Sequence, residues 1–144
     1  MLGLIFSLTL QKKIKHEMEY KRKIIVYGDY FAEFYDKQIS SVKNKINYVL
    51  NLVRMEEHIP SRFFRNIDTV SGLFEIRIEM EGNIFWIFCC FDEGKLVVLF
   101  NGFQKKTQKT PPKEIEKATQ IMKEYFNSKK GDKLWAKSNP KQNQ

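Results

Sequence analysis

Cysteine, histidine and long apolar runs are what this sequence has least of. Its two cysteines, Cys89 and Cys90, are neighbours. Adjacent residues of a strand point to opposite faces, so the two thiols are expected to face apart. A disulfide between them would be strained. They follow the apolar run Phe85-Trp86-Ile87-Phe88 and read as core. A disulfide framework is excluded, and unpaired thiols fit a reducing, cytoplasmic compartment. Histidine is limited to His16 and His58. With no Cys-x-x-Cys and no histidine pair, a metal site is not expected.

The N-terminal apolar stretch, residues 1–10, is too short to span a bilayer. Its basic residues, Lys12, Lys13 and Lys15, follow the apolar run, the reverse of a secretory signal. No membrane association is expected. Residues 1–19 read as an extension, 20–126 as the domain, and the lysine-rich, Gly-, Pro- and Asn-containing residues 127–144 as a disordered basic tail. No internal repeat is present.

Negative charge is the scarcer sign. Lys plus Arg number 25 against 17 for Asp plus Glu, a net charge of +8. That balance points to a polyanionic partner, nucleic acid or an anionic surface. The 144 residues suit one domain, and an apolar share of 42%, with 12 Phe, is enough for a core.

Residues 23–27 (Lys-Ile-Ile-Val-Tyr) form a short β-branched strand pattern that Gly28-Asp29 breaks. Asp29 is a candidate helix cap for residues 30–37. Ile39, Val42, Ile46, Val49, Leu50 and Val53 then recur at helical spacing, until His58-Ile59-Pro60 stops the helix. Residues 61–71 read as a loop carrying Arg62, Arg65 and Asn66. Three strands follow. Residues 73–80 alternate apolar and polar, residues 84–91 are almost wholly apolar, and residues 95–103 run on into a basic segment. Thr110-Pro111-Pro112 opens a last helix with Ile115, Ala118, Met122, Tyr125 and Phe126 as its stripe. The order β-α-α-β-β-β-α predicts a two-layer α+β fold, an antiparallel sheet with helices on one face.

The segment with the most distinctive chemistry is 101–113. It holds Lys105, Lys106, Lys109 and Lys113 with Gln104, Thr107, Gln108 and Thr110 between them, at a strand end that leads into a helix N-terminus. Ammonium, hydroxyl and helix-terminal N–H groups all favour phosphate. A solvated basic loop is the plainer alternative. Neither histidine lies near this segment, and no carboxylate cluster suggests a two-metal nuclease. RNA cleavage here would therefore rest on Lys and Arg electrostatics, with the RNA's own 2′-hydroxyl as nucleophile. Arg77 shares the wet face of its strand with Glu75 and Glu79. It either pairs with them or faces RNA. Trp86, Phe100 and Phe103 are candidate stacking rings, with core packing the stronger reading.

Taken together, Gly72-Leu73-Phe74-Glu75-Ile76-Arg77, then Phe91-Asp92-Glu93-Gly94-Lys95, then Asn101-Gly102-Phe103-Gln104-Lys105-Lys106-Thr107-Gln108-Lys109-Thr110-Pro111 resemble the phage-derived HigB-type branch of the RelE/ParE toxin superfamily. The likeness spans about residues 24–126. It implies a RelE-like fold and ribosome-dependent, metal-independent cleavage of mRNA. It also implies neutralisation by a helix-turn-helix antitoxin, contact with operator DNA only through the antitoxin complex, and no cofactor. Residue by residue it makes Arg77, Lys105, Lys106 and Lys109 catalytic. Gln104, Thr107, Arg62, Arg65 and Lys113 join them as RNA-binding residues. Two positions depart from the common pattern: Trp86 stands where an arginine is frequent, and Asn101 where a histidine is. A preorganised donor is worth about 3–4 kcal/mol to a transition state. A catalytically weakened homologue that only binds antitoxin or RNA is therefore the alternative, and a ParE-like gyrase inhibitor a third.

Overall fold

The structure, a computed structural model, describes residues 7–12, 20–106 and 111–138. Residues 7–12 form a short helix, α1. The chain then runs β1 (Lys23–Val26), α2 (Tyr30–Tyr35), α3 (Ser40–Met55), β2 (Phe64–Asn66), β3 (Leu73–Met80), β4 (Asn83–Asp92), β5 (Leu96–Lys105) and α4 (Pro112–Ser138). It is an α+β fold built on one five-stranded sheet of order β1-β5-β4-β3-β2.

The predicted meander of three strands is present, joined by short turns. Glu81 and Gly82 both take positive φ, the requirement of a two-residue hairpin loop. Three features differ from the expected fold. First, the sheet is mixed, because β1 pairs with β5 in parallel, Ile25 opposite Val98. Second, the stretch read as a loop contains β2, whose three residues pair antiparallel with β3. Such a short strand carries too few residues to show an alternation.

Third, helices cover both faces of the sheet. Val42, Ile46, Val49 and Val53 of α3 and Phe34 of α2 pack on Ile76, Ile78, Ile87, Cys89 and Leu99. Ala118, Ile121 and Tyr125 of α4 pack on the opposite face, against Leu73, Phe88, Cys90, Val98 and Phe100. The two-layer expectation is thus replaced by three layers. The cause is already in β4, which is apolar on both faces and needs cover on both. The two cysteines do face apart, one into each core. Burial pushes the Cys89 thiol well up, and burial and then Asp92 push Cys90 up to about 12, so neither is a reactive thiolate.

The last helix is longer than expected. Residues up to 138 continue α4 instead of opening a tail at 127, and residues 139–144 lie outside the described part. The extension is tied down by Lys129, which donates to Asp92 at 2.5 Å and to Glu93 at 3.3 Å. Tyr125 donates to the same Asp92 carboxylate at 2.5 Å. Asp29 occupies the N-cap position of α2 without a side-chain bond. At the other end of α3, Arg22 donates to the carbonyls of Val53, Glu56 and Glu57 and so satisfies the helix terminus. Among the described residues no helix is long and apolar enough to cross a membrane.

Candidate functional site

Beyond the stretch packed under α4, the same face of the sheet is polar and cationic. Cross-strand pairing sets its layout. Arg65 of β2 lies opposite Glu75 of β3, Arg77 opposite Trp86 of β4, and Trp86 opposite Phe103 of β5. Lys105 is one step on, opposite Ile84.

This layout depends on a β-bulge. Cys89 pairs with Leu99, but Ile87 pairs with Gly102, so Phe100 and Asn101 together oppose Phe88. The extra residue reverses the alternation of β5. Phe103 and Lys105 therefore share the face of Trp86 and Arg77, and Gln104 turns to the other face, where it donates to Asn83 at 3.4 Å. Gly102 faces Phe34, and a Cβ there would lie inside van der Waals contact with that ring.

Trp86 forms the floor of the site and is only 4% exposed. The Arg77 guanidinium sits 6.0 Å from its ring and the Lys105 ammonium 5.7 Å, so two cations from two strands converge on one indole. Phe88 and Phe103 stack alongside at 5.5 Å. Arg77 Nε and Trp86 Nε1 are buried donors without a hydrogen-bond partner among the described residues. An unmade buried donor costs about 1–3 kcal/mol, a cost that the rest of the fold has to offset.

Glu75 is half-buried on this face. Burial raises its carboxyl above the ordinary glutamate range, against the opposing pull of Arg65, Lys105 and Arg77. Its carboxyl is thus set among three cations. Of the two carboxylates flanking Arg77 in sequence, the ion pair is with Glu79, at 3.3 Å.

The expected site residues divide into groups. Arg77 and Lys105 meet over Trp86. Arg65 stands at the rim, exposed, with its Nε donating to the Ser61 carbonyl at 3.3 Å. Arg62 lies over the Phe63 ring at 4.7 Å, on the β3 edge of the sheet. Lys106 is exposed just past β5, and Lys113 is exposed in the first turn of α4. Gln104 is turned away. Thr107 and Lys109 lie outside the described residues. Asn101, where a histidine is commoner, is buried and donates to Glu114 of α4 at 3.4 Å, with its Oδ1 unpartnered among the described residues. It therefore ties the bulge to α4.

Two residues escaped the reading of the sequence: Glu75 on this face, and Tyr48 on the neighbouring α3, which lines a cleft with Arg77. Glu75 was visible only as a partner for Arg77, although its alternation with Arg77 already placed it on the same face. Tyr48 occupies a polar position of α3, and a large exposed ring there was its signal.

No curated protein matches the chain. The model of the phage-derived Gp49-like protein family (DUF891) matches residues 33–123, which take in the second half of α2, α3, strands β2–β5, both cations over Trp86 and the start of α4. That match covers more than half of the sequence, and with it the chain belongs to the Gp49-like family, a RelE/HigB-like toxin family.

Proposed function

We propose that this protein is the toxin of a type II toxin–antitoxin pair of the HigB type, a metal-independent endoribonuclease acting on ribosome-bound mRNA. The observation that carries the reading is the convergence of Arg77 and Lys105 on Trp86, beside the half-buried Glu75. A phosphodiester laid over Trp86 takes charge-assisted hydrogen bonds from Arg77 and Lys105. The 2′-hydroxyl of the preceding ribose then attacks phosphorus, its proton passes to Glu75, and the bond to the 5′-oxygen breaks. The products are a 2′,3′-cyclic phosphate and a 5′-hydroxyl end, once the leaving oxygen takes a proton from solvent or a neighbouring lysine.

Lys106 and Lys109 add positive charge to the same reaction, and Thr107 and Lys113, with Arg62 and Arg65 at the rim, hold flanking phosphates. The partner is a helix-turn-helix antitoxin in the cytoplasm, with operator DNA contacted only through the complex. A second reading, a weakened homologue that binds antitoxin or RNA without cutting, is favoured by one observation: Trp86 brings no charge of its own to the phosphate.

Paired induction in a bacterial host separates the two. The chain is expressed alone and together with a neighbouring helix-turn-helix gene, and growth and mRNA 5′ ends are followed. Arrest with new ends inside coding regions, reversed by the neighbour, is the expected result. Normal growth and unchanged ends, with soluble protein present, select the binding module. A DNA-damage response with intact mRNA points to gyrase.

A further inference from the structure

β2 stops where Phe64 faces Ile76, and the edge of β3 continues past it without a strand partner. The Arg77 N–H there is satisfied by the Phe63 carbonyl at 2.8 Å. In the space beyond the end of β2 lies a cleft of about 350 Å³ lined by Lys45, Tyr48, Arg62, Phe63, Arg77 and Glu79. That volume is in the range of small-ligand sites.

Each wall of the cleft pairs an aromatic ring with a cation. On the α3 wall, Tyr48 is 54% exposed and the Lys45 ammonium stands 5.1 Å from its ring centroid. On the opposite wall Arg62 covers Phe63. Arg77 belongs to both places: it lines this cleft and its guanidinium reaches the Trp86 ring of the site on the sheet face. The single carboxylate of the lining, Glu79, is engaged by Arg77. Two cations outside any ion pair with that acid, the Arg77–Glu79 pair and an exposed ring form the chemistry that binds single-stranded nucleic acid. The cations track the backbone and the ring stacks a base. An acidic protein helix would use the cations but has no need of the exposed ring between them.

We infer that this cleft is a nucleotide subsite for single-stranded RNA, continuous with the sheet-face site through Arg77. Tyr48 stacks the base next to the phosphate held over Trp86, and Lys45 and Arg62 hold the phosphates that flank that base. The direction of the strand rests on the RNA-cleaving reading above; binding in the cleft is tested without cleavage.

The test uses the full chain and a labelled 2′-O-methyl RNA oligomer, which lacks the attacking hydroxyl. Binding is measured with the oligomer free and with it programmed on ribosomes. Tyr48→Ala is expected to weaken binding about tenfold, as loss of one base stack of about 1–3 kcal/mol implies, and Tyr48→Phe to keep it. Wild-type binding in neither setting, or a Tyr48→Ala protein within twofold of wild type in both, overturns the inference. So does a Tyr48→Ala protein that loses the helix-turn-helix antitoxin and keeps RNA, since the cleft is then a protein-docking surface. Failure of the cleavage reading shows separately, as RNA bound through Tyr48 with no new mRNA ends on induction.

Discussion

Glu75 and Gly102 are both constrained by their neighbours, the first by burial and charge and the second by the Phe34 ring. If Glu75 takes the 2′ proton, cleavage should rise with pH through a value above the ordinary glutamate range, because burial favours its neutral form. Glu75→Gln should remove that rising limb and lower the rate by at least tenfold; a pH–rate profile of ribosome-programmed cleavage reads both, and an unaltered profile would show that the proton goes elsewhere. Arg77→Ala and Lys105→Ala should each relieve growth arrest. Both variants fully toxic would remove the sheet face from the mechanism. Gly102→Ala drives a methyl into the Phe34 ring and should cost about 1–3 kcal/mol in denaturant unfolding. At this scale the sequence was partly legible. Arg77 and Lys105 were recognisable from their motifs, as was the wet face of β3. Trp86 as a shared floor was not, because which cations meet over a ring depends on the register of three strands. Tyr48 was hidden for the same reason: only the end of β2 reveals the cleft it lines.

Between elements, α4 is held to the sheet at two points, Asn101–Glu114 near its start and Asp92 with Tyr125 and Lys129 farther along. Hydrogen bonds from Lys129, then Tyr125, hold the Asp92 carboxyl below the ordinary aspartate range. Burial and then the bond to Asp92 push Tyr125 up to about 12, so it remains a donor. The sign follows from linkage. A depressed carboxyl contributes stability above its unfolded pKa and loses it as pH falls through the folded one. Asp92→Asn should lower the thermal midpoint by several degrees at neutral pH, and the gap from wild type should stay constant down to about pH 4 and close below it. A gap that persists unchanged into strong acid would mean that shape, not charge, is what Asp92 provides. Elements were the most legible level of the sequence. α3 followed from apolar periodicity, and the β3–β5 meander from alternation and turn residues. The extent of α4 was not, since its polar C-terminal half is stabilised by a partner on β4, 37 positions away in the chain.

For the whole molecule, the charge balance of +8 suits a polyanionic partner, which the proposed function takes to be RNA. The logarithm of its affinity for single-stranded RNA should fall linearly with the logarithm of salt concentration, and Lys105→Ala should flatten that slope by roughly 0.7, the contribution of one phosphate. A slope identical to wild type would place Lys105 off the RNA path. The three-layer architecture was the global property least visible beforehand. Its trace was β4, whose inner and outer residues are equally apolar, a pattern that already demands helices on both sides.

The bulge in β5 has one more consequence, which concerns how the chain keeps its place. Phe100 and Asn101 act like an extra letter in a message read two at a time. Were β5 to slide by one residue and heal the ladder, Asn101 would take the position under Phe34 that Gly102 holds, Gly102 would face Arg77 across Trp86's strand, and Lys105 would turn to the opposite side. Only a residue without a side chain fits beneath Phe34, so the ring works as a proofreader that admits a single frame. The glycine that makes the close approach to α2 possible is thus also what keeps Lys105 facing Arg77.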